Sequence, residues 1–324
     1  MALALYAQDP HFSQFFSSPL TLNPAFTGRF DGDIRAAGNY RNQWPTINRA
    51  FTTYSLSVDA PILKGTIPDI DRLAIGGLAL VDQQADGVLK NSYFTFSIGY
   101  TKSLDQDGYH SVSVGFQGTY AQKRLNTANL KFEDQLRSDG FTGITAEIFD
   151  PRQMNINYFD VNTGVMFTGV FANDLNYYAG GSLYHINRPK ESFRGADFQL
   201  NHRYSIHGGT WQPLNDMTML HTSALWQYQG GAQELIFGGA LGIKTNNYDN
   251  ANPATLYAGA FMRLKDALIP YVGLEWSTWR LGASYDVNVS SLKSASNSRG
   301  GFEISLIYIG RRGLGGVGVA CPKF

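Results

Sequence analysis

Apolar and small polar side chains alternate with a period of two along most of the chain, from about residue 30 to residue 310. Two clear examples are residues 94–100, with the sequence FTFSIGY, and residues 302–308, with the sequence FEISLIY. A period of two places alternate side chains on opposite faces of a strand, whereas an amphipathic helix needs a period near 3.6, which is not sustained here. The pattern therefore predicts an all-β protein.

The number of alternating segments and the character of their polar face indicate a closed barrel. About fourteen strands are predicted, at 33–44, 51–60, 72–83, 88–102, 109–124, 155–172, 175–187, 201–212, 217–229, 233–245, 254–264, 268–277, 278–289 and 299–310. Their polar face is largely Gly, Ser, Asn and Gln, which suits a hydrated lumen better than the solvated face of a sandwich. We therefore expect a closed antiparallel up-and-down transmembrane β-barrel with short periplasmic turns and longer extracellular loops.

Composition agrees with a barrel and excludes several other classes. Charged residues are only 16% and aromatic residues 14%, yet the mean hydropathy is −0.21, as expected for strands with one lipid-facing and one polar face. A soluble sandwich or propeller could share these totals. The sequence contains no apolar run long enough for a membrane-spanning helix. A net charge of zero gives no bulk attraction for nucleic acid, and the single Cys321 excludes an intrachain disulfide.

The chain divides into four regions. Residues 1–7 (MALALYA) are interpreted as the remnant of an export signal, because a short apolar stretch ends just before polar residues. Residues 8–30 are rich in Phe, Pro and Ser and do not alternate, so they form either a periplasmic segment or a plug in the lumen. Residues 31–310 are the predicted barrel, and residues 311–324 a tail. A fourteen-stranded lumen is wider than wall side chains can fill, so an unplugged barrel would leak.

Motifs of enzymes and cofactor sites occur only without their required context. Residues 313–318 (GLGGVG) satisfy G-x-G-x-x-G formally, but no helix can follow in the few residues that remain. Residues 290–293 match S-x-x-K without the partner motifs that this nucleophile needs. The six His residues form no recognisable metal motif. We therefore expect no enzymatic activity, no catalytic residue, no metal and no cofactor.

The N-terminal region carries a specific resemblance. Residues 8–15 (QDPHFSQF), 18–20 (SPL) and 22–28 (LNPAFTG) closely resemble the opening of the PorP/SprF family of type IX secretion system membrane proteins. The likeness continues at 40–45 (YRNQWP), 266–271 (DALIPY), 284–288 (SYDVN), 300–305 (GGFEIS) and 321–324 (CPKF). The opening motif supplies our candidates for docking to periplasmic machinery or for plugging the lumen: Gln8, Asp9, Pro10, His11, Phe12, Phe15, Asn23, Pro24, Phe26 and Gly28.

The resemblance implies a multi-pass outer-membrane protein that exports large secreted proteins, such as gliding adhesins, or retains them at the cell surface. It implies cargo recognised through a C-terminal targeting domain, and periplasmic and lipoprotein components of the secretion machine as further partners. Outer-membrane lipid would surround the barrel, and nucleic acid is not expected. The alternative function is a porin-like passive channel for small solutes, although no clustered charges suggest a constriction.

Two long connections, 125–154 and 188–200, are expected on the cell-surface side. Both place apolar side chains among charged ones, as an attachment surface requires. The candidate partner-binding residues are Phe132, Phe141, Ile144, Phe149, Phe193 and Phe198. An equally supported alternative is that these side chains pack over the barrel mouth as a lid.

Overall fold

The computed structural model describes residues 9–47, 51–63, 71–138, 140–150, 154–171, 174–193, 198–245, 254–291 and 293–311. Within these residues, fourteen long strands form the barrel: β1 Ile34–Gln43, β2 Phe51–Ile62, β3 Arg72–Gln84, β4 Leu89–Ser103, β5 Ser111–Leu125, β6 Asn155–Phe171, β7 Leu175–Tyr184, β8 Arg203–Pro213, β9 Thr218–Gln229, β10 Ala232–Lys244, β11 Thr255–Arg263, β12 Ala267–Trp276, β13 Trp279–Asn288 and β14 Arg299–Gly310.

Each strand pairs antiparallel with its neighbours in sequence, and the first strand pairs with the last. The closing pair of β1 and β14 runs in continuous register from Ile34 opposite Gly310 to Gln43 opposite Gly301. Closure pairs both edges of each of these fourteen strands, as a sheet surrounded by lipid requires. The predicted up-and-down barrel of fourteen strands is therefore confirmed. β7 ends three residues earlier than predicted, because the positive φ of +60° at His185 interrupts the extended chain.

The predicted alternation corresponds to the two faces of the wall. In β2, Ser55 and Ser57 are buried toward the lumen, whereas Leu56 and Val58 are 59% and 41% exposed on the outside. The same holds in β4 and β14, where aromatic and aliphatic side chains point outward and small polar ones inward. The outer face therefore presents the apolar surface that contact with acyl chains needs.

The barrel has two distinguishable ends. We call the end with connections 126–154 and 185–202 the loop end, and the end with connections 104–110 and 214–217 the turn end. The connection 126–154 is not featureless: it contains 3₁₀ turns at Thr127–Asn129 and Glu133–Gln135, and a two-residue ladder between Leu136–Arg137 and Gly140–Phe141. A short helix, Lys293–Ser296, lies in another connection of the loop end.

Residues 9–33, which we call the plug, occupy the lumen. The plug contains a 3₁₀ turn at Phe15–Ser17, helix α1 at Pro19–Leu22 and a 3₁₀ turn at Pro24–Phe26. Pro19 and Pro24 stand where a helical turn begins, a position that tolerates the missing N–H of proline. The plug starts near the loop end and reaches the turn end, where the N–H of Asp33 donates to the carbonyl of Gly310 at 2.9 Å. Among the described residues, no helix has the length and apolar character that membrane crossing requires.

Candidate functional site

The first described residue of the plug is held by charged and polar groups at the loop end. The Asp9 carboxylate lies 2.7 Å from His185 Nε2 and 3.5 Å from Arg203 Nη1. Its other oxygen accepts a hydrogen bond from Gln229 Nε2 at 3.2 Å. Burial by itself raises the pKa of Asp9, but the charges of His185 and Arg203 outweigh this effect and hold the pKa well below its usual range. Asp9 is therefore a buried carboxylate with its charge compensated.

His185 links Asp9 to the barrel wall. Its Nδ1 lies 3.0 Å from Asp160 on β6, so the imidazole stands between two carboxylates. Burial lowers the pKa of His185, but Asp9 and Asp160 outweigh burial and raise it to about 10. At neutral pH the imidazole is therefore protonated and donates to both carboxylates.

Residues 11–14 of the plug meet a second charged group on the wall. His11 Nε2 lies 2.9 Å from Glu234 Oε2. The backbone N–H groups of Ser13 and Gln14 donate to the two oxygens of Glu303 at 2.6 and 2.8 Å. Arg41 lies 3.2 Å from the same carboxylate and also donates to the carbonyl of His11 at 2.5 Å. The wall therefore binds this part of the plug largely through its backbone.

Asp286 and Arg263 complete this group. Arg263 lies 3.0 Å from both Asp286 and Glu234, and Arg41 lies 3.4 Å from Asp286. The side chain of Ser13 donates to Asp286 and also contacts Arg263. Arg41, Asp286 and the glutamate of β14 come from three separate stretches that carry the sequence resemblance, and the fold brings them together around the N-terminal motif.

The middle of the plug packs through aromatic rings. Phe15 and Phe26 are buried, and Phe26 stacks on His207 with ring centroids 5.4 Å apart. Phe16 lies 5.1 Å from Phe261, again between ring centroids. These rings belong to one apolar cluster formed with the inner faces of β6–β12. Burial of aromatic area in this cluster stabilises the plug without help from charge.

Asn23 and the residues around it fit closely against the wall. Its Nδ2 donates to the carbonyls of Val165 and Gly181, both at 3.1 Å, and lies 2.9 Å from His207 Nε2. Its Oδ1 accepts from the N–H of Ala25 and so caps the following turn. A Cβ added at Gly164 would lie 1.9 Å from this oxygen, so the wall must be glycine here for Asn23 to fit.

The turn-end part of the plug is bound by Asp59 and Arg35. The N–H of Gly28 donates to Asp59 Oδ2 at 2.7 Å, and Arg35 pairs with the same carboxylate at 2.8 Å. Gly28 has a φ of +72°, and a Cβ there would lie 2.1 Å from that of Ala74. Position 28 of the motif therefore needs glycine for both its backbone conformation and its close approach to β3.

Every strand of the barrel contacts the plug. The contacting wall residues, in order from β1 to β14, are Arg35, Asp59, Arg72, Ser97, Gln117, Val165, Ser182, His207, Gln229, Glu234, Phe261, Tyr271, Ser284 and Glu303. Of the motif residues singled out from sequence, Gln8 lies outside the described residues, and the other nine lie in the lumen. The described residues 9–30 therefore lie inside the barrel.

The candidate partner-binding residues of connection 126–154 lie at the loop end. The rings of Phe132 and Phe149 stack with centroids 5.4 Å apart. Leu136, Phe141, Ile144 and Ile148 are between 55% and 87% exposed, and we call these four residues the apolar loop face. Their side chains are exposed to solvent.

The second long connection is bound more closely to the barrel rim. Glu191 lies 3.0 Å from Lys123 and accepts a hydrogen bond from Tyr158. Phe198 is 43% exposed and Phe193 is half-buried. The two loops thus present different surfaces: the first extends its apolar side chains, and the second folds back onto the wall.

Sequence reasoning missed the charged wall residues that bind the plug. Their signal was a charged residue at a lumen-facing position of an alternating strand, as with Arg41, Glu234 and Glu303. Which of these residues meet could not be read from spacing along the chain. Among the described residues, no group of three or more His, Cys, Asp or Glu side chains is arranged to hold a metal ion.

Comparison with known proteins shows which family the chain matches and which solved structures have a similar fold. The family described as type IX secretion system membrane protein PorP/SprF matches residues 4–308. No curated protein matches the chain by sequence.

Among solved structures, the toluene transporter TbuX of Ralstonia pickettii is 9% identical, with a TM-score of 0.50, over 90% of this chain and 92% of that chain. A FadL homologue of Pseudomonas aeruginosa is 11% identical, with a TM-score of 0.46, over 88% and 92%. BamA of Haemophilus ducreyi lacking POTRA domains 1–3 is 11% identical, with a TM-score of 0.42, over 86% and 71%. At such low identity the likeness to TbuX bears on the fold alone, which is that of an outer-membrane β-barrel.

Proposed function

Because the chain belongs to the PorP/SprF family of type IX secretion system membrane proteins, we propose that it is a plugged outer-membrane barrel that retains secreted cargo at the cell surface. The role proposed is non-enzymatic attachment: the apolar loop face binds the C-terminal targeting domain of the cargo. The turn end, which in bacterial barrels faces the periplasm, is then available to the other components of the secretion machine.

The plug is the observation that carries this proposal. All fourteen strands contact residues 9–33, through charged groups near the loop end and through aromatic packing in the middle. A folded or extended cargo chain would have to displace these contacts to pass through the lumen. The contacts therefore support attachment outside the barrel over conduction through it.

The apolar loop face supports a binding role because it is exposed on a hydrogen-bonded scaffold. Asp134 accepts hydrogen bonds from Thr145 Oγ1 at 2.9 Å and from the N–H of Ala146 at 2.6 Å, which ties the two halves of the loop together. Gln135 is buried and bonds to the N–H of Phe132 and to Thr142. Clustered exposed apolar side chains on an ordered surface are typical of protein interaction sites.

The test compares one leucine in this face with a matched leucine at the other end. Leu136 is 58% exposed at the loop end, and Leu104 is 57% exposed at the turn end. We expect Leu136→Ser combined with Phe141→Ser to lower surface retention of cargo by about tenfold, as the loss of two interface anchors does. Leu104→Ser should leave retention unchanged. Immunofluorescence of cargo on intact cells, with barrel abundance measured in the same membranes, gives the readout, and normal retention in the double variant contradicts the proposal.

A porin-like channel is the competing function, and the plug weighs against it. In planar bilayers, we expect the intact barrel to show no steady conductance and a variant lacking residues 9–28 to conduct. Steady conductance of the intact protein would favour passive solute transport instead.

A further inference from the structure

A cavity lies beside the plug in the half of the lumen nearest the turn end. Its empty volume, including the part open to solvent, is about 570 Å³. It is bounded by Phe16 and Ser17 of the plug and by the inner faces of β9–β14. The plug residues that border this space, Phe16 and Ser17, leave it unfilled.

The walls of the cavity are aromatic. Tyr271 lies edge-on to Phe16, with ring centroids 5.3 Å apart, and Phe261 lies 6.2 Å from Tyr271. Two glycines explain how the tyrosines keep clear of the space: a Cβ at Gly273 would lie 2.6 Å from the hydroxyl of Tyr271, and one at Gly242 would lie 2.6 Å from the ring of Tyr257. Both rings therefore lie against the wall, and the cavity remains beside them.

An ion pair stands at the mouth of the cavity. Arg280 Nε lies 3.3 Å from Glu275 Oε2, with the two side chains 19% and 26% exposed. The hydroxyl of Tyr257 donates to the same oxygen of Glu275 at 3.1 Å. Because the two charges compensate each other, a ligand with a net charge gains little here. A neutral head group with one donor and one acceptor can instead contact both the carboxylate and the guanidinium.

From these features we propose that the cavity binds a small aromatic molecule with an uncharged polar head group, such as a carboxamide. The ring packs among Phe16, Phe261 and Tyr271, and the head group lies at Glu275 and Arg280. The molecule enters from the turn end. This site is independent of cargo attachment at the loop end, so either proposal can fail alone.

Cysteine protection tests the site in reconstituted proteoliposomes. Ala240 is buried in the cavity wall, and Leu104 is exposed at the same end of the barrel but outside the cavity. Each is changed to cysteine in a Cys321→Ser background and treated with methanethiosulfonate ethylammonium. The probe is 3-phenylpropionamide, whose size predicts millimolar binding, so about 10 mM should slow labelling of Ala240→Cys about tenfold. Labelling of Leu104→Cys should not change.

Two comparisons examine the chemistry of recognition. Butyramide, which lacks the ring, and 3-phenylpropionate, which carries a charge, should protect Ala240→Cys at least about fivefold less well, because each loses one half of the contacts. Arg280→Gln should weaken protection to a similar extent, whereas Arg311→Gln, an exposed arginine at the same end, should not. Heat-modifiable migration on gels checks that each barrel is folded, and the probe series needs no change at Arg280.

Three results overturn the proposal: a thiol at position 240 that does not react, equal protection by all three probes, or equal protection at positions 240 and 104. The first would mean that the cavity is closed to the turn end. The others would mean that the probe acts on the reagent or on the lipid.

Discussion

The two halves of the plug are held in the lumen by different physics. Residues 9–14 are bound by charged side chains, with Asp9 near His185 and Arg203 and the backbone of Ser13 and Gln14 on Glu303. Residues 15–28 are held by buried rings, by hydrogen bonds to wall carbonyls and by close approach to glycines of the wall. Binding of the first half to the wall therefore depends on the charges of these side chains. Binding of the second half depends on how closely it fits the wall.

This difference has a consequence for how the plug could leave the lumen. Separating two buried charges costs less free energy when water can solvate them, and residues 9–14 lie at the loop end, where the lumen opens to water. Apolar packing and backbone hydrogen bonds inside the barrel have no such route to solvation. We expect residues 9–14 to open first and independently, with residues 15–28 determining whether the barrel conducts.

The largest effect is expected from the aromatic half. Phe26→Ala removes a buried ring and should lower the free energy of plug opening by about 3–5 kcal/mol. Hydrogen exchange of the Asn23 and Thr27 amides, which bond to the carbonyls of Pro19 and Pro24, should speed up by two or more powers of ten. Phe116→Ala, on the lipid-facing side, is the control and should leave these amides protected. Equal loss of protection in both variants would mean that barrel stability, not plug packing, is being measured.

A methyl group in the wall should have the next largest effect. A Cβ at Gly115 would lie 2.2 Å from the carbonyl oxygen of Pro24, and the backbone cannot yield easily. We expect Gly115→Ala to destabilise the plug by about 1–3 kcal/mol and to raise bilayer conductance. Gly77→Ala, where the nearest atom is 4.0 Å away, should do neither. If Gly115→Ala behaves like this control, the close fit of the plug against the wall does not contribute to the stability of the bound plug.

Removing one charge should loosen the first half alone. Glu303→Gln keeps the shape of the side chain but weakens the bonds to the Ser13 and Gln14 amides, at a cost of about 2 kcal/mol. Exchange of these two amides should accelerate, while the Asn23 amide stays protected. Glu147→Gln, in the exposed loop, serves as the control. Simultaneous acceleration at all three amides would show that the plug opens as one unit, against the division into halves.

The smallest effect should come from pH. The folded-state pKa of His185 is raised to about 10 from an ordinary value of 6.5, so its stabilisation is complete below about pH 6.5 and is lost as the pH rises through about 10. A neutral imidazole has one N–H and can donate to only one of Asp9 and Asp160.

A spin label at Pro10→Cys, in the Cys321→Ser background, should become more mobile between pH 7 and pH 10.5. Arg203 and Gln229 still hold Asp9, which limits the change. The same label in a His185→Gln background is the control and should show no such transition. An identical pH response in both backgrounds would assign it to other groups.

The proposed attachment surface at the loop end was only partly accessible from sequence. The apolar residues of connection 126–154 could be recognised among charges, but whether they extend or cover the barrel mouth depends on local folding. The bonds of Asp134 and Gln135 hold the loop in a form that leaves Phe141 and Ile144 exposed. These contacts join residues that no period along the chain relates.

The sequence by itself determined the wall of this protein. Alternation with a period of two follows directly from strand geometry, so fourteen strands and their lipid-facing side chains could be predicted one segment at a time. The N-terminal motif could be recognised, but its location could not. Only barrel closure brings Ser13 to Glu303, 290 positions away, and sets Asn23 against a glycine of β6. Such contacts depend on which strand faces which across the lumen, and that is decided by three-dimensional packing.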